Sequence, residues 1–236
     1  MQTNYSEEVP MEPAFIFDKP ALRKQFTNKV LQTVAIQLFI SAAIIVTARA
    51  SYFVSAFSAA FSLVWLIGFI GVLTVLTCVR QAAQKVPLNY FLLLFLTICQ
   101  SFLVHNNTRL IGADVISGAV ILTALIVSVA YAFAITTDFD FTSPQFLIMF
   151  NLSHLAIVFF CSLFLSSSNI FFAYIGALVF TIYIIIDIHM IIGNKNYKLG
   201  IDDHVYASTL IYVDIVNLFL KLVEMIEKQA EKKKKK

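Results

Sequence analysis

The sequence predicts an all-α, polytopic membrane protein built as a seven-helix bundle, and three observations carry that prediction. Of its 236 residues 59% are hydrophobic and only 13% charged, with a mean hydropathy of +0.83, which leaves too little polar surface to coat a soluble globule. The charges gather before Val30, in a few short connections and in the terminal run Lys232 to Lys236. Between them lie seven apolar tracts of a length suited to roughly 30 Å of hydrocarbon.

Residues 1–28 form a polar arm interrupted by Pro10, Pro13 and Pro20. The arm lacks the apolar core and small-residue cleavage site of a secretory signal, so targeting falls to the first apolar tract, and the arm is expected to be disordered and cytosolic. A membrane domain over residues 29–226 and a lysine-rich tail over 227–236 complete the layout. The tracts cover 30–47, 53–78, 88–104, 115–136, 146–165, 170–192 and 205–220. The second is long enough to tilt. The seventh meets Lys221 after sixteen residues, which keeps a re-entrant segment open beside a full span.

Lys19, Arg23, Lys24 and Lys29 precede the first tract, Arg80 and Lys85 follow the second, and Lys195 and Lys198 follow the sixth, against Arg49 and Arg109 on the opposite side. The positive-inside rule therefore places the arm in the cytosol. Seven full spans then put the tail across the membrane, whereas its own lysines favour the cytosol. Lys233 and Lys234 have the spacing of a dilysine retrieval signal, which favours the endoplasmic reticulum or Golgi if the tail is cytosolic; otherwise the run is a basic patch for anionic lipid. Cys78, Cys99 and Cys161 sit in or beside apolar tracts and suggest small buried side chains rather than a disulfide framework. Nucleic acid is not an expected partner.

Ionisable side chains in mid-membrane cost roughly 2.5 to 3.5 kcal/mol each and face a bundle interior or water. Asp187, in "TIYIIIDIHMII", and Asp214, in "TLIYVDIVNLFLKLVEMI", lie about 9 Å and about 14 Å from the same membrane face at the α-helical rise. Consecutive antiparallel helices bring those depths within reach. Two carboxylates that meet in a poorly solvated site cannot both ionise cheaply, so the pair is expected to share one proton and to act as a pH switch. On losing that proton the pair either repels or recruits a divalent cation, calcium being the one that tolerates irregular oxygen ligation. The plainer alternative is that each aspartate fixes helix packing.

Asp214, Asn217, Lys221, Glu224 and Lys228 follow at steps of three or four and form one polar stripe. The stripe can line an aqueous path, with Lys221 and Glu224 alternatively an interfacial ion pair. Asn151 and His154 share a face in the fifth tract and can join a relay, and Gln100 is a neutral interhelical donor in the third. Asp138 and Asp140 are expected to bracket a cytosolic turn, with Thr142 or Ser143 capping the fifth helix. Arg80 can snorkel or pair with the buried acids. There is no phosphate loop, zinc spacing or nucleophile elbow, and catalysis is not expected. Membrane proteases use paired aspartates, but the glycine beside the second is missing here, since Val213 and Ile215 flank Asp214.

The runs "VPLNYFLLLFLTICQSFLV", "AYAFAITTDFDFTS", "TIYIIIDIHMIIG" and "YASTLIYVDIVNLFLKLV" resemble, in order and spacing, the transmembrane Bax inhibitor motif family. The phrase ending in "DFT" is similar to its Lifeguard branch. The resemblance spans nearly all of the chain after Ala21. It implies six helices around a central carboxyl-terminal one, and a role in pH-sensitive calcium leak from internal stores and in suppression of cell death. It places Asp187 and Asp214 at the proton-sensing positions and makes Arg80 the candidate latch of a closed state. The family often carries an acidic residue within the second or third helix, where this chain has Gln100 and no carboxylate.

The function expected is a pH-sensitive calcium leak channel of an internal membrane, with protons, calcium and the lipid bilayer as partners and no cofactor beyond calcium as a transported or weakly bound ion. The alternative is a non-conducting regulator that acts on cell death or stress signalling through other membrane proteins.

Overall fold

In hydrocarbon every backbone N–H and C=O must find its partner within the chain, so apolar tracts of this length become helices. The computed structural model describes residues 20–137, 139, 141–164, 170–192 and 199–234. The arm before Pro20, Asp138 and Asp140, the connection holding Gly193, Asn194, Lys195, Asn196 and Lys198, and the last two lysines lie outside the described residues, as does the side chain of Cys161.

The helices are α1 (Pro20–Ala50), α2 (Tyr52–Ala60), α3 (Ser62–Cys78), α4 (Arg80–Gln84), α5 (Leu88–Thr108), α6 (Ala113–Thr136), α7 (Pro144–Phe164), α8 (Ile170–Ile192) and α9 (His204–Lys234), with a 3₁₀ turn at Ile201–Asp203 just before α9. Four of them, α1, α5, α6 and α8, are long and apolar enough to cross a membrane, and α2 with α3 makes a fifth such span bent by 66°. Counting that bent pair once, and adding α7 and α9, seven helical units correspond to the seven tracts. The chain is a multi-pass, all-helical integral membrane protein.

Three boundaries differ from expectation. The first helix opens at Pro20 rather than at 30, so the last residues assigned to the arm are helical; proline suits a first helical turn because its missing N–H has no intrahelical role there. The second tract is broken at Phe61, whose ψ of 21° opens the turn. Ser58 holds α2 over the end of α5 through the Asn106 Oδ1 acceptor at 2.9 Å, and Trp65 stacks on Phe102 with ring centroids 4.6 Å apart. The seventh tract is a continuous helix of 31 residues, about 46 Å at the α-helical rise, so its length suits a full span rather than a re-entrant loop and it takes in most of the expected tail.

The last helix is the hub. It packs against α8, α6 and α1 and more lightly against α5, α3 and α4. Val205, Ile211, Tyr212, Val216, Leu218 and Leu222 are buried on one broad side, and the rest of its surface from His204 to Lys228 is at least half-buried, so no face of it is left open, as a central helix requires. Small residues let the neighbours close in: Ala119, Ala130 and Ala134 on α6 and Ala173 and Ala177 on α8 are all buried, the usual device for helix contact in a membrane. The outer faces carry exposed Phe39, Leu63, Ile121 and Leu152, which lipid accepts at no cost.

The helices α1 and α5 run in the same direction. Gln37 Nε2 donates to Thr97 Oγ1 at 3.2 Å, and twelve residues further along α1 the Arg49 guanidinium donates to the carbonyls of Thr108 and Ile111 at 2.9 and 2.8 Å. Arg49 therefore caps the carboxyl end of α5.

Candidate functional site

Asp187 lies in α8 within a run in which Ile184, Ile185, Ile186, Ile188, His189, Met190 and Ile191 are all buried. Residues of this run face α1, α6 and α9 at once, so the carboxyl has no solvent to turn to and is itself only 6% exposed. Asp214 comes from the facing side of α9 and is half-buried. The two carboxyl groups meet across the α8–α9 interface within hydrogen-bonding reach. The buried Asp187 Oδ2 atom has no hydrogen-bond partner among the described residues. The pairing anticipated from depth alone is thus present, at the most extensive helix contact of the fold.

Tyr183 lies one turn before Asp187 on α8. Its hydroxyl donates to Asn151 Oδ1 at 2.6 Å, so Asn151 on α7 is tied to α8 one turn from Asp187, through a tyrosine that the sequence did not single out. Asn151 also donates to the carbonyl of Leu147 at 2.8 Å. His154 is half-buried and is not bonded to Asn151 or to the aspartates among the described residues. Gln100 is buried on α5, whose main packing partners are α1, α2, α3, α4 and α9 rather than α8.

The polar stripe of α9 divides. Asp214 joins Asp187, and Asn217 is half-buried beside it. Further on, Glu224 accepts from Lys221 at 3.0 Å and from Lys228 at 2.6 Å, so this half satisfies itself as ion pairs. The Lys221 stem lies across Gly176 of α8, where an added Cβ would meet the Lys221 Cδ at 2.8 Å.

Arg80 reaches an acid that sequence reasoning passed over. Its Nε donates to Asp203 Oδ1 at 3.1 Å, and its Nη2 bonds Asp203 Oδ2. Gln84 Nε2 donates to Oδ1 at 2.7 Å and the Gly200 N–H to Oδ2 at 2.7 Å. Burial opposes the charge on Asp203, but the bonds from Arg80, Gly200 and Gln84 outweigh it and hold the carboxyl below the usual carboxylate range. Next to it, Tyr90 Oη and His204 Nε2 are 2.9 Å apart. The clasp ties α4 to the start of the central helix. Asp202 and Asp203 in "GIDDHVY" look like a solvated turn; the only available hint was their place directly before the last helix.

His189 was also missed. Its Nδ1 lies 2.9 Å from the carbonyl of Ile185, its ring packs on Phe141, and its Nε2 has no partner among the described residues.

For calcium as a bound ion, the donor set is thin. Among the described residues no group of three or more His, Cys, Asp or Glu side chains gathers at one point, whereas calcium takes six to eight oxygens in its proteins. Two carboxyls that touch each other suit proton exchange and passing contact with a cation better than a held ion. Two carboxyls this close across a helix interface can bond when one carries a proton and repel when neither does.

A family model described as "Inhibitor of apoptosis-promoting Bax1" matches residues 23–231. Among curated relatives, "Protein LIFEGUARD 2" of Arabidopsis thaliana is 28% identical over 234 residues, covering 94% of this chain and 94% of its own. "Protein lifeguard 3" of Homo sapiens is 25% identical over 223 residues, 89% of this chain and 70% of its own. "Protein LIFEGUARD 4" of Arabidopsis thaliana is 29% identical over 221 residues, 88% and 86% respectively.

Proposed function

We propose, on the premise that this chain belongs to the family of inhibitors of apoptosis-promoting Bax1, that it is a pH-sensitive calcium leak channel of the endoplasmic reticulum or Golgi membrane, gated by Asp187 and Asp214. The observation that carries the reading is the meeting of those two carboxyls at the α8–α9 interface. A pair of this kind has no packing merit of its own, because apolar side chains would fill the same space without the insertion cost. Its distinguishing property is that one proton decides whether α8 and α9 attract or repel. Calcium is the transported ion and the proton the signal, and through the stores it drains the protein acts on calcium homeostasis and cell death.

The test is calcium efflux from loaded liposomes across a range of pH, with the wild type and with Asp187→Asn and Asp214→Asn. The reading expects a leak that rises with pH in the wild type, as deprotonation sets two negative charges against each other, and a loss of that rise in both variants. Flux of unchanged pH profile in the variants sinks it.

A second reading is favoured by the thin donor set and by the absence of a carboxylate in α3 and α5. On this reading the chain conducts nothing and regulates cell death or stress signalling through membrane-protein partners. It expects no flux at any pH and a protective effect in cells that survives neutralisation of both aspartates.

A further inference from the structure

Opposite the aspartate pair, the central helix faces a second polar region. Side chains two residues apart on a helix point about 200° away from each other, so Tyr212 and Asp214 sit at one depth on opposite flanks of α9. Where Asp214 turns to α8, the Tyr212 side is closed by α1 and α5. Tyr212 is fully buried, its hydroxyl lies 2.7 Å from Ser41 Oγ of α1, and it also reaches the hydroxyl of Ser101 on α5.

That hydroxyl cluster is flanked along the bundle axis. One turn toward the amino ends of α1 and α5, Gln37 bonds Thr97. One turn the other way, His105 Nε2 lies 3.1 Å from Ser55 Oγ of α2. Gln37, Ser41, Thr97, Ser101, His105 and Tyr212 are each at most 6% exposed. The faces of α1 and α5 that could have been sealed with leucine are thus built of hydroxyl, amide and imidazole groups along several turns.

Two atoms of this seam point to a ligand. Gln37 Oε1 and His105 Nδ1 are buried and have no hydrogen-bond partner among the described residues. A buried polar atom left unmet costs free energy; the ordinary remedy is internal water, which needs polar partners, and these the seam provides. The two orphans stand on opposite sides of the hydroxyl cluster, so water at each would be bridged by Ser41, Tyr212 and Ser101.

We propose that the seam between α1, α5 and α9 holds internal water and is a proton path through the bundle, distinct from the aspartate pair. In each step a hydroxyl accepts a proton from the water or hydroxyl on one side and releases its own to the next, those of Thr97 and Ser101 turning from the Leu93 and Thr97 carbonyls to which they donate at rest, so one O–H bond forms for each that breaks and no charge is left behind. The Ser41–Tyr212–Ser101 cluster is the narrowest link, because there the protons pass between side chains without water. Its substrates are water and protons, and its lining contains no carboxylate that would hold a cation.

The test is proton flux into liposomes carrying an entrapped pH dye, driven by a potassium diffusion potential, with calcium absent. Wild-type protein is expected to raise proton entry several-fold above protein-free vesicles, Tyr212→Phe and Ser41→Ala to remove most of that increment, and Asp187→Asn to leave it standing. The last arm separates this proposal from the calcium reading: flux lost in Asp187→Asn but kept in Tyr212→Phe overturns the seam and favours the pair. A second measurement does not depend on flux. In a chain with Cys78, Cys99 and Cys161 replaced by alanine, Ser101→Cys is expected to react with a membrane-impermeant thiosulfonate several-fold faster than the lipid-facing Leu125→Cys. Equal rates for the two, with both reacting fully in detergent-unfolded protein, overturn the proposal even if Tyr212→Phe fails to fold.

Discussion

Asp203 keeps its charge because three donors converge on it. Its side chain is 1% exposed while that of Arg80 is 61% exposed, so the arginine brings a solvated charge to the mouth of a buried site, and Gln84 and the Gly200 N–H complete the set. Replacing Arg80 by alanine leaves a buried carboxylate with two neutral donors, and a loss of roughly 1–3 kcal/mol follows from hydrogen bonds to a charged group. Because the folded carboxyl titrates below the unfolded value of about 3.9, the stabilisation is complete above that pH and is lost as pH falls through the folded value. Thermal unfolding in detergent should therefore show the same wild-type to Arg80→Ala difference from pH 5 to pH 8, narrowing only in strong acid. A difference that vanished near neutral pH would show that Asp203 is not held as described. This pairing was out of sight in the sequence: 123 residues separate Arg80 from Asp203, and an acid in a short turn reads as a solvated one. Asp187 and Asp214 were legible because carboxylates in long apolar runs stand out, and depth counting along two consecutive helices places them together.

At the scale of the helices, apolar length alone set most boundaries, and the sixth segment was expected where α8 lies, over 170–192. The bend of 66° between α2 and α3 was not readable, since neither Pro nor Gly marks Phe61. The cause is tertiary: Ser58 bonds Asn106 while Phe57 and Trp65 pack on Phe102 and Phe61 packs on Phe57. Those bonds also occupy the amide of Asn106, which donates to the Ser58 carbonyl at 3.0 Å. Arg49, one of two cations that break the charge asymmetry, owes its place to the two carbonyls it caps. Beyond the bend, α3 lies close on α5 at Gly68, where a Cβ would stand 3.1 Å from Cys99 Sγ and 3.3 Å from Phe95 Cε1. A branched side chain there must push the helices apart. Gly68→Val should destabilise by about 1–3 kcal/mol, the usual range for overpacking, in denaturant titrations in detergent, and a shortened partner, Cys99→Ala, should recover part of the loss. An unchanged midpoint in Gly68→Val would mean that α3 and α5 do not approach as described.

At the scale of the whole molecule, one helix collects the contacts of most others, and two kinds of polar chemistry sit on opposite flanks of it at a common depth. On the proposed reading, a charge change on one flank is delivered to the element that these neighbours share. The continuity of α9 also makes a topological prediction. With seven crossings, a cysteine placed in the amino-terminal arm and one placed beyond α9 should react with an impermeant reagent from opposite sides of sealed vesicles; labelling from one side would require an even number of crossings. The central claim, that one shared proton sets the leak, is met most directly by calcium efflux from liposomes measured against pH for the wild type and Asp187→Asn at equal protein density. The account predicts efflux that climbs with pH in the wild type and a flat profile in the variant; a variant that climbs in the same way contradicts it.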